Sequence, residues 1–148
     1  MNSDDGVADI TRTRAQLLAG DFGPFLAAID ADVDAVMISH ARYTAIDKLR
    51  PASASPAIYK MLRDDARWDG VAITDALNAP GFTTAASADI ALVTGTLVDA
   101  MRCRAALAVA ASKSAVLRAR IDEAALRVLR LKAHADLLPA LTVAAPTD

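Results

Sequence analysis

Two residues of this chain stand where chemistry is usually done, an aspartate and a histidine, each closing a short apolar run. Trp68-Asp69-Gly70 introduces Val71-Ala72-Ile73, and Thr74-Asp75 ends it. A run this short and this apolar reads as a buried parallel strand. It delivers the Asp75 carboxylate at its C-terminal end, where α/β folds gather their reactive groups. A second run, Val33-Asp34-Ala35-Val36-Met37-Ile38, leads to Ser39-His40. By the same logic His40 lies on the same rim. The bland alternatives are an aspartate that caps a strand-end loop and a histidine that is a satisfied polar residue.

The other reactive types are weaker candidates. Arg42 and Tyr43 follow His40 and could edge a pocket there. His134 stands far along the last helical stretch and is expected to be exposed. Cys103 is the only cysteine, which excludes an internal disulfide and a cysteine metal cluster. It sits in the helical context Met101-Arg102-Cys103-Arg104-Ala105-Ala106-Leu107 and is expected to be a small buried or half-buried apolar residue. No cofactor and no metal are implied.

The elements that must position these residues follow from periodicity. Residues 1–10 lack a period and read as a loop. Leu17, Leu18, Phe22, Phe25, Leu26 and Ile29 recur at helical spacing, broken by Gly20, Gly23 and Pro24 into two helices. Ser55 before Pro56 reads as an N-cap, with Ile58, Met61 and Leu62 facing inward on the helix that follows. Strands are expected near 33–39, 70–75 and 89–94. Helices follow over about 96–112 and 114–135, the second with an apolar stripe at Leu117, Ile121, Ala124, Val128 and Leu131. The tail from Pro139 is expected to be flexible. Strands alternating with helices mean parallel βαβ units. Three such strands are too few to close a barrel, and their apolar faces and open edges invite a partner, possible self-association included.

Bulk properties narrow the function. The chain has 148 residues, enough for one modest domain. It is 54% hydrophobic but only 4% aromatic, so the core must be built from Ala, Leu, Val and Ile. The formal net charge of −2 and the lack of a basic patch argue against a nucleic-acid or anionic-membrane partner. The arginines and lysines near the C-terminus alternate with apolar positions and read as a solvated helix face. The acidic, polar start Met1-Asn2-Ser3-Asp4-Asp5 is not a signal peptide, and no apolar run reaches bilayer length. A cytoplasmic location is the expectation.

Four stretches, in order, resemble glycoside hydrolase family 3. Pro24-Phe25-Leu26-Ala27-Ala28-Ile29 running through Val33 to Ser39-His40 is similar to the family's P-F-x-x-A-I-x-A-G-V-D-A-V-M-x-S-H. Pro51-Ala52-Ser53-Ala54-Ser55-Pro56 is close to P-A-S-x-S-P. The Asp75 strand resembles the nucleophile strand F-D-G-V-[VI]-[IV]-[TS]-D. Arg120-Ile121-Asp122-Glu123-Ala124, continuing to Arg127-Val128-Leu129-Arg130-Leu131-Lys132, looks like the helix that ends the family's barrel domain. The T-D-x-L form around Asp75 resembles the β-N-acetylhexosaminidase branch more than the β-glucosidase branch.

The resemblance implies an α/β fold in which residues 11–138 form a partial TIM-type barrel, the last three parallel βα units, with C-terminal helices. It implies a retaining exo-glycosidase, with Asp75 as the nucleophile that forms a covalent glycosyl-enzyme and His40 lining the sugar pocket. The substrate class would be an N-acetylglucosaminide-like carbohydrate.

The chain also departs from the family. It contains no K-H-F-P-G-H-G, and Asn2-Ser3-Asp4 stands where the proton-transferring D-[ST]-H would fall. Ala76 stands where the hexosaminidase branch has a second aspartate. The link from Asn78 to Ser87 is short for a parallel crossover. These departures lead to the expectation of a truncated or degenerate chain, weakly active or inactive alone. The alternative is a non-catalytic half-barrel remnant that acts, if at all, through self-association or a partner.

Overall fold

The computed structural model describes residues 8–77 and 87–138. The expectations for Asn2-Ser3-Asp4, for most of the link after Leu77 and for the tail from Pro139 lie outside the described residues.

Local chemistry sets the first elements. Strand β1 (Asp9–Ile10) falls at the end of the stretch read as a loop, too short to show a period. Thr13 then opens α1 (Arg14–Gln16) with a reciprocal capping box. The Gln16 N–H donates to Thr13 Oγ1 at 3.3 Å, and the Thr13 N–H donates to Gln16 Oε1 at 2.9 Å. Such a cap contributes about 1 kcal/mol. A π-helical turn over Leu17–Asp21 buries Leu17, and α2 (Gly23–Asp30) carries Pro24 in its first turn, where a missing N–H costs nothing. α2 ends in a Schellman turn: Val33 N–H donates to Ala28 O and Asp32 N–H to Ile29 O, both at 3.0 Å. Asp32 takes the left-handed conformation this turn needs, with φ 56°.

Strand β2 (Ala35–Ile38) follows, then β3 (Arg42–Tyr43), a tight 3₁₀ turn at Ala52–Ala54, and α3 (Pro56–Lys60) with a π-helical extension at Met61–Asp65. Ser55 does occupy the N-cap position of α3, but it caps nothing. Its hydroxyl donates instead to Asp47 Oδ2 at 2.8 Å, because a carboxylate is the stronger acceptor. Strand β4 (Val71–Thr74) returns parallel to β2, in the register Ala35↔Val71 to Ile38↔Thr74. β1 and β3 form the second parallel pair.

The third expected strand, 89–94, is corrected to two isolated parallel bridges beside β4, Ile73↔Ile90 and Leu77↔Val93. The ladder fails for a specific reason. Asp89 and Ile90 both donate to Ala72 O, and the Leu92 N–H is taken by the Thr74 hydroxyl at 3.1 Å rather than by a backbone carbonyl. The described residues thus hold two small parallel sheets among helices, an α/β fold. α4 (Leu97–Lys113) and α5 (Ala115–His134) complete it, opened by Thr96 and Ser114 as N-caps. The stripe from Leu117 to Leu131 is half-buried as expected, and Cys103 is buried on α4.

The core lies between the β2–β4 pair and α3: Val36, Ile38, Ala52, Ile58, Tyr59, Trp68 and Ala72. β2 buries only one face, and Met37 on the other is 52% exposed. Among the described residues, no helix is long and apolar enough to cross a membrane.

Candidate active site

β2 and β4 end side by side, and the sequence just beyond them carries His40 and Asp75. The ladder continues one residue past β4: the Asp75 N–H donates to Ile38 O at 2.9 Å. The half-buried Asp75 carboxylate takes the Ala76 N–H on Oδ1 at 2.7 Å. Among the described residues no cationic side chain pairs with it and no group donates to Oδ2. Ala76 is exposed and Leu77 is buried, with the Leu77 N–H donating to Leu92 O at 2.7 Å. The backbone on both sides of Asp75 is therefore held, while among the described residues one carboxylate oxygen is without a donor.

His40 is half-buried and bonded at both ring nitrogens. Nε2 lies 2.9 Å from Ala76 O and Nδ1 lies 2.7 Å from Ser53 Oγ. A carbonyl only accepts, so Nε2 carries a proton and donates. In the neutral ring Nδ1 then accepts from the Ser53 hydroxyl. Ser53 is itself fixed: its N–H donates to Ser39 O at 3.0 Å, and the Tyr59 hydroxyl donates to Ser53 O at 2.9 Å. Burial pushes the Tyr59 phenol above its ordinary pKa, the charge of Asp89 adding to the effect, so it stays protonated as that donor.

The Pro51-Ala52-Ser53-Ala54-Ser55-Pro56 segment thus does more than start a helix. Ser53 holds His40 and Ser55 holds Asp47. Asp47 also takes the N–H groups of Leu49 and Arg50 on Oδ1, and these bonds, Leu49's first, hold its carboxyl below the ordinary value. Sequence reasoning offered only an N-cap role for Ser55, which its side chain does not fill. The signal that could have found the rest is the pair of serines, at alternate positions, flanked by prolines that fix the turn.

Arg42 on β3 is tied to β1. Its guanidinium grips Asp9 with both arms, Nε to Oδ1 at 2.6 Å and a terminal nitrogen to Oδ2 at 2.8 Å, and the Arg42 hydrogen bond lowers the Asp9 pKa. Tyr43 packs on Phe22 with ring centroids 5.9 Å apart. His134 is exposed, with Nδ1 3.0 Å from Asp34 Oδ1.

A second constellation sits at the opposite, N-terminal end of the strands, and the sequence reading missed it. The Asp89 side chain is 0% exposed. It accepts from Arg63 at 2.6 Å, Arg120 at 2.6 Å, Arg127 at 3.3 Å and the Ala72 N–H at 2.9 Å. Burial pulls the Arg63 pKa down, with Asp89 opposing. For Arg127, burial also works against the charge, but hydrogen bonds and charge from Asp69 and Asp89 outweigh it and raise the pKa. The expected solvated helix face is corrected here: Arg120 and Arg127 are 20% and 17% exposed and point at a buried carboxylate. Their seven-residue spacing puts them two turns apart on one face of α5, beside the apolar stripe. That spacing was the available signal. Arg63 also lies 5.0 Å from the Trp68 ring centre and donates to Trp68 O and Gly70 O.

Among the described residues, no three His, Cys, Asp or Glu side chains gather where they could hold a metal ion.

Parallel strands that alternate with helices place the chain in the α/β class. The comparisons make that specific. A sequence model of the glycosyl hydrolase family 3 N-terminal domain matches residues 1–131, and the chain belongs to this family. A β-hexosaminidase of Chromobacterium violaceum is 38% identical over 89 residues, which is 57% of this chain and 25% of that protein. The solved family 3 β-N-acetylglucosaminidase of Paenibacillus sp. superposes with a TM-score of 0.80 at 28% identity, covering 94% of this chain and 30% of that one. The β-N-acetylhexosaminidase of Beutenbergia cavernae gives 0.73 at 33% identity, covering 86% and 40%. The chain therefore spans a quarter to two fifths of the length of these relatives.

Proposed function

We propose that this chain supplies the nucleophile-bearing part of a retaining β-N-acetylhexosaminidase, and that β2, β4 and the 89–94 segment are three consecutive strands of a TIM-type barrel. The observation that carries the reading is Asp75 just past β4, in a family 3 chain, with neither an ion pair nor a donor to Oδ2 among the described residues. In this reading Oδ2 attacks the anomeric carbon. The bond from that carbon to the glycosidic oxygen breaks, and its electron pair leaves with the aglycone. Water then cleaves the glycosyl ester. A carboxylate suits both the attack and the later departure.

Protonation of the leaving oxygen needs a general acid, typically worth about 10²- to 10⁴-fold. The chain holds no K-H-F-P-G-H-G to provide one. The 148 residues alone are therefore expected to cleave an ordinary aryl N-acetyl-β-glucosaminide very slowly or not at all. A dinitrophenyl glycoside needs little protonation and is the fair test. Release of dinitrophenolate that disappears in Asp75→Ala supports the reading. No Asp75-dependent release and no adduct at Asp75 by mass spectrometry would leave the family relationship without the activity.

The second reading, a non-catalytic half-barrel that associates with itself or a partner, draws on the exposed side of β2. Met37 there lines an apolar groove of about 260 Å³ together with Leu18, Phe25 and Leu26. A concentration-dependent dimer in sedimentation, shifted to monomer by Met37→Glu, favours this reading. A monomer at all concentrations speaks against self-association.

A further inference from the structure

The proposed site has a histidine that the family resemblance assigns to the sugar, yet its two ring nitrogens are spent on protein atoms. We infer that His40 is a positioning residue, which fixes the peptide after Asp75 through the Ala76 carbonyl and is itself aimed by Ser53. The inference deepens the reading of Asp75 as nucleophile and rests on it only for the catalytic consequence.

The geometry makes a continuous path. The Tyr59 hydroxyl donates to Ser53 O, the Ser53 hydroxyl to His40 Nδ1, and His40 Nε2 to Ala76 O. The Ala76–Leu77 peptide plane is thus gripped at both ends, its carbonyl by His40 and its N–H by Leu92 O. One residue earlier, the Ala76 N–H donates to Asp75 Oδ1 and selects which carboxylate oxygen remains open. If the Ala76–Leu77 plane rotates, the Ala76 N–H and the carboxylate lose their fixed relation. Ala76 has no side chain that could fix this turn from within. In this chain it stands where the hexosaminidase branch has an aspartate, so the hold comes from across the strand pair. A ring with both nitrogens bonded to protein has no polar atom left for a sugar hydroxyl.

Two conservative variants separate the two nitrogens. A glutamine reaches to the Nε2 position and can still donate to Ala76 O. An asparagine reaches only to Nδ1, keeps Ser53 and loses Ala76. In the full chain, amide hydrogen exchange at Ala76 and Leu77 is expected to speed up about tenfold in His40→Asn, the worth of one part-buried hydrogen bond, and to stay within about twofold of wild type in His40→Gln. Ser53→Ala frees the ring at Nδ1 and is expected to fall between them. It also serves as the test if His40→Asn does not fold.

The catalytic consequence is read with an activated 2-deoxy-2-fluoro glycoside. Asp75 Oδ2 bonds to the anomeric carbon as dinitrophenolate departs with the electron pair, and the rate of adduct formation follows the exchange order: wild type, then Gln, then Asn. Unchanged exchange in both His40→Asn and Ser53→Ala overturns the positioning role. So does equal loss of adduct in the Gln and Asn variants with unchanged exchange, since that marks a direct sugar contact. If exchange behaves as expected but wild type forms no adduct, the positioning stands and the nucleophile reading falls.

Discussion

The two ends of the same strands treat a carboxylate in opposite ways. At the C-terminal end Asp75 is half-buried, bonded to one backbone N–H, and free of cations among the described residues. At the N-terminal end Asp89 is wholly buried under three arginines and a backbone N–H. A buried carboxylate must be matched or it costs several kcal/mol, so Asp89 can only be structural. The nucleophile role proposed for Asp75 requires an available oxygen, and among the described residues only neutral backbone groups bond to it. Under the proposed function the chain separates holding from reacting along one strand length. The N-terminal end also closes over Trp68, whose indole N–H donates to Val33 O at 2.9 Å and whose ring lies against Arg63.

The sharpest way to break this comparison is to remove each charge in turn. Asp89→Asn leaves Arg63, Arg120 and Arg127 facing one another in a buried space. The expected loss is about 3–5 kcal/mol, a large share of the stability of a domain this size. Asp75→Asn is expected to change stability by less than about 0.5 kcal/mol, while it removes adduct formation. Urea denaturation of the two variants decides the matter. Equal costs would mean that the two ends are not specialised.

Gly70 tests the closed end from its packing side. A Cβ there would stand 2.5 Å from the Trp68 ring. The ring is pinned by Val33 and Arg63 and cannot yield freely. Gly70→Ala is therefore expected to cost about 1–3 kcal/mol, the range of overpacked cores, and to shift Trp68 fluorescence. Asp69-Gly70 is thus explained by the tryptophan beside it, not by a turn. A cost below a few tenths of a kcal/mol would show that the indole has room.

How much of this was legible depends on the range of the cause. β4 and the two long helices follow from local pattern and caps, and the sequence placed them within a residue or two. The apolar run at 89–94 predicts a strand, but its ladder is cut by the Ala72 carbonyl shared between Asp89 and Ile90 and by the Thr74 hydroxyl, seen only when the strands meet. β1 and β3 are two residues each, below any period. At the rim, Asp75 and His40 were visible because strand ends have a pattern. The partners that give them meaning were not, since Ser53 and Ala76 lie 13 and 36 residues from His40. The arginines of Asp89 come from Arg63 on the π-helical turn and from α5, 26 to 38 residues away. Arg120 and Arg127 look like surface charge because a helix face polar by residue type reads as solvated until its neighbour is known.

Acid probes both ends together. Asp9 and Asp47 stand near the rim, and Asp69 at the closed end, each with its folded pKa below the ordinary 3.8. A depressed pKa stabilises the fold when the group is ionised. That stability is fully present above the ordinary value and is lost as pH falls through the folded value. Stability should therefore be flat from neutrality to about pH 5 and fall below about pH 4, with salt softening the part due to exposed pairs. Asp69 is 63% exposed, so Asp69→Asn should remove only a small part of the acid slope. A titration in urea with and without that change measures it. A stability that rose on acidification to pH 3 would reverse the sign and break the argument.

The smallest expected effect lies at the entry to β2. Asp32 holds φ 56°, a conformation that costs a residue with a Cβ roughly 1 kcal/mol and glycine almost nothing. The family pattern has glycine at this position, and here the Schellman turn is closed by the Asp32 and Val33 N–H groups whichever side chain is present. Aspartate is one of the few residues that tolerate the region, so the strain is partial, and glycine gives some of the gain back through the freedom of the unfolded chain. Asp32→Gly is therefore expected to stabilise by about 0.5 kcal/mol, with a rise of a few degrees in Tm. The turn is on the closed side of the strand pair, far from Asp75. The gain should come with no change in amide exchange at Ala76 or in the rate of adduct formation. If tightening this turn altered exchange at the rim, the two ends would be coupled through β2, and the separation between the holding end and the reacting end would have to be abandoned.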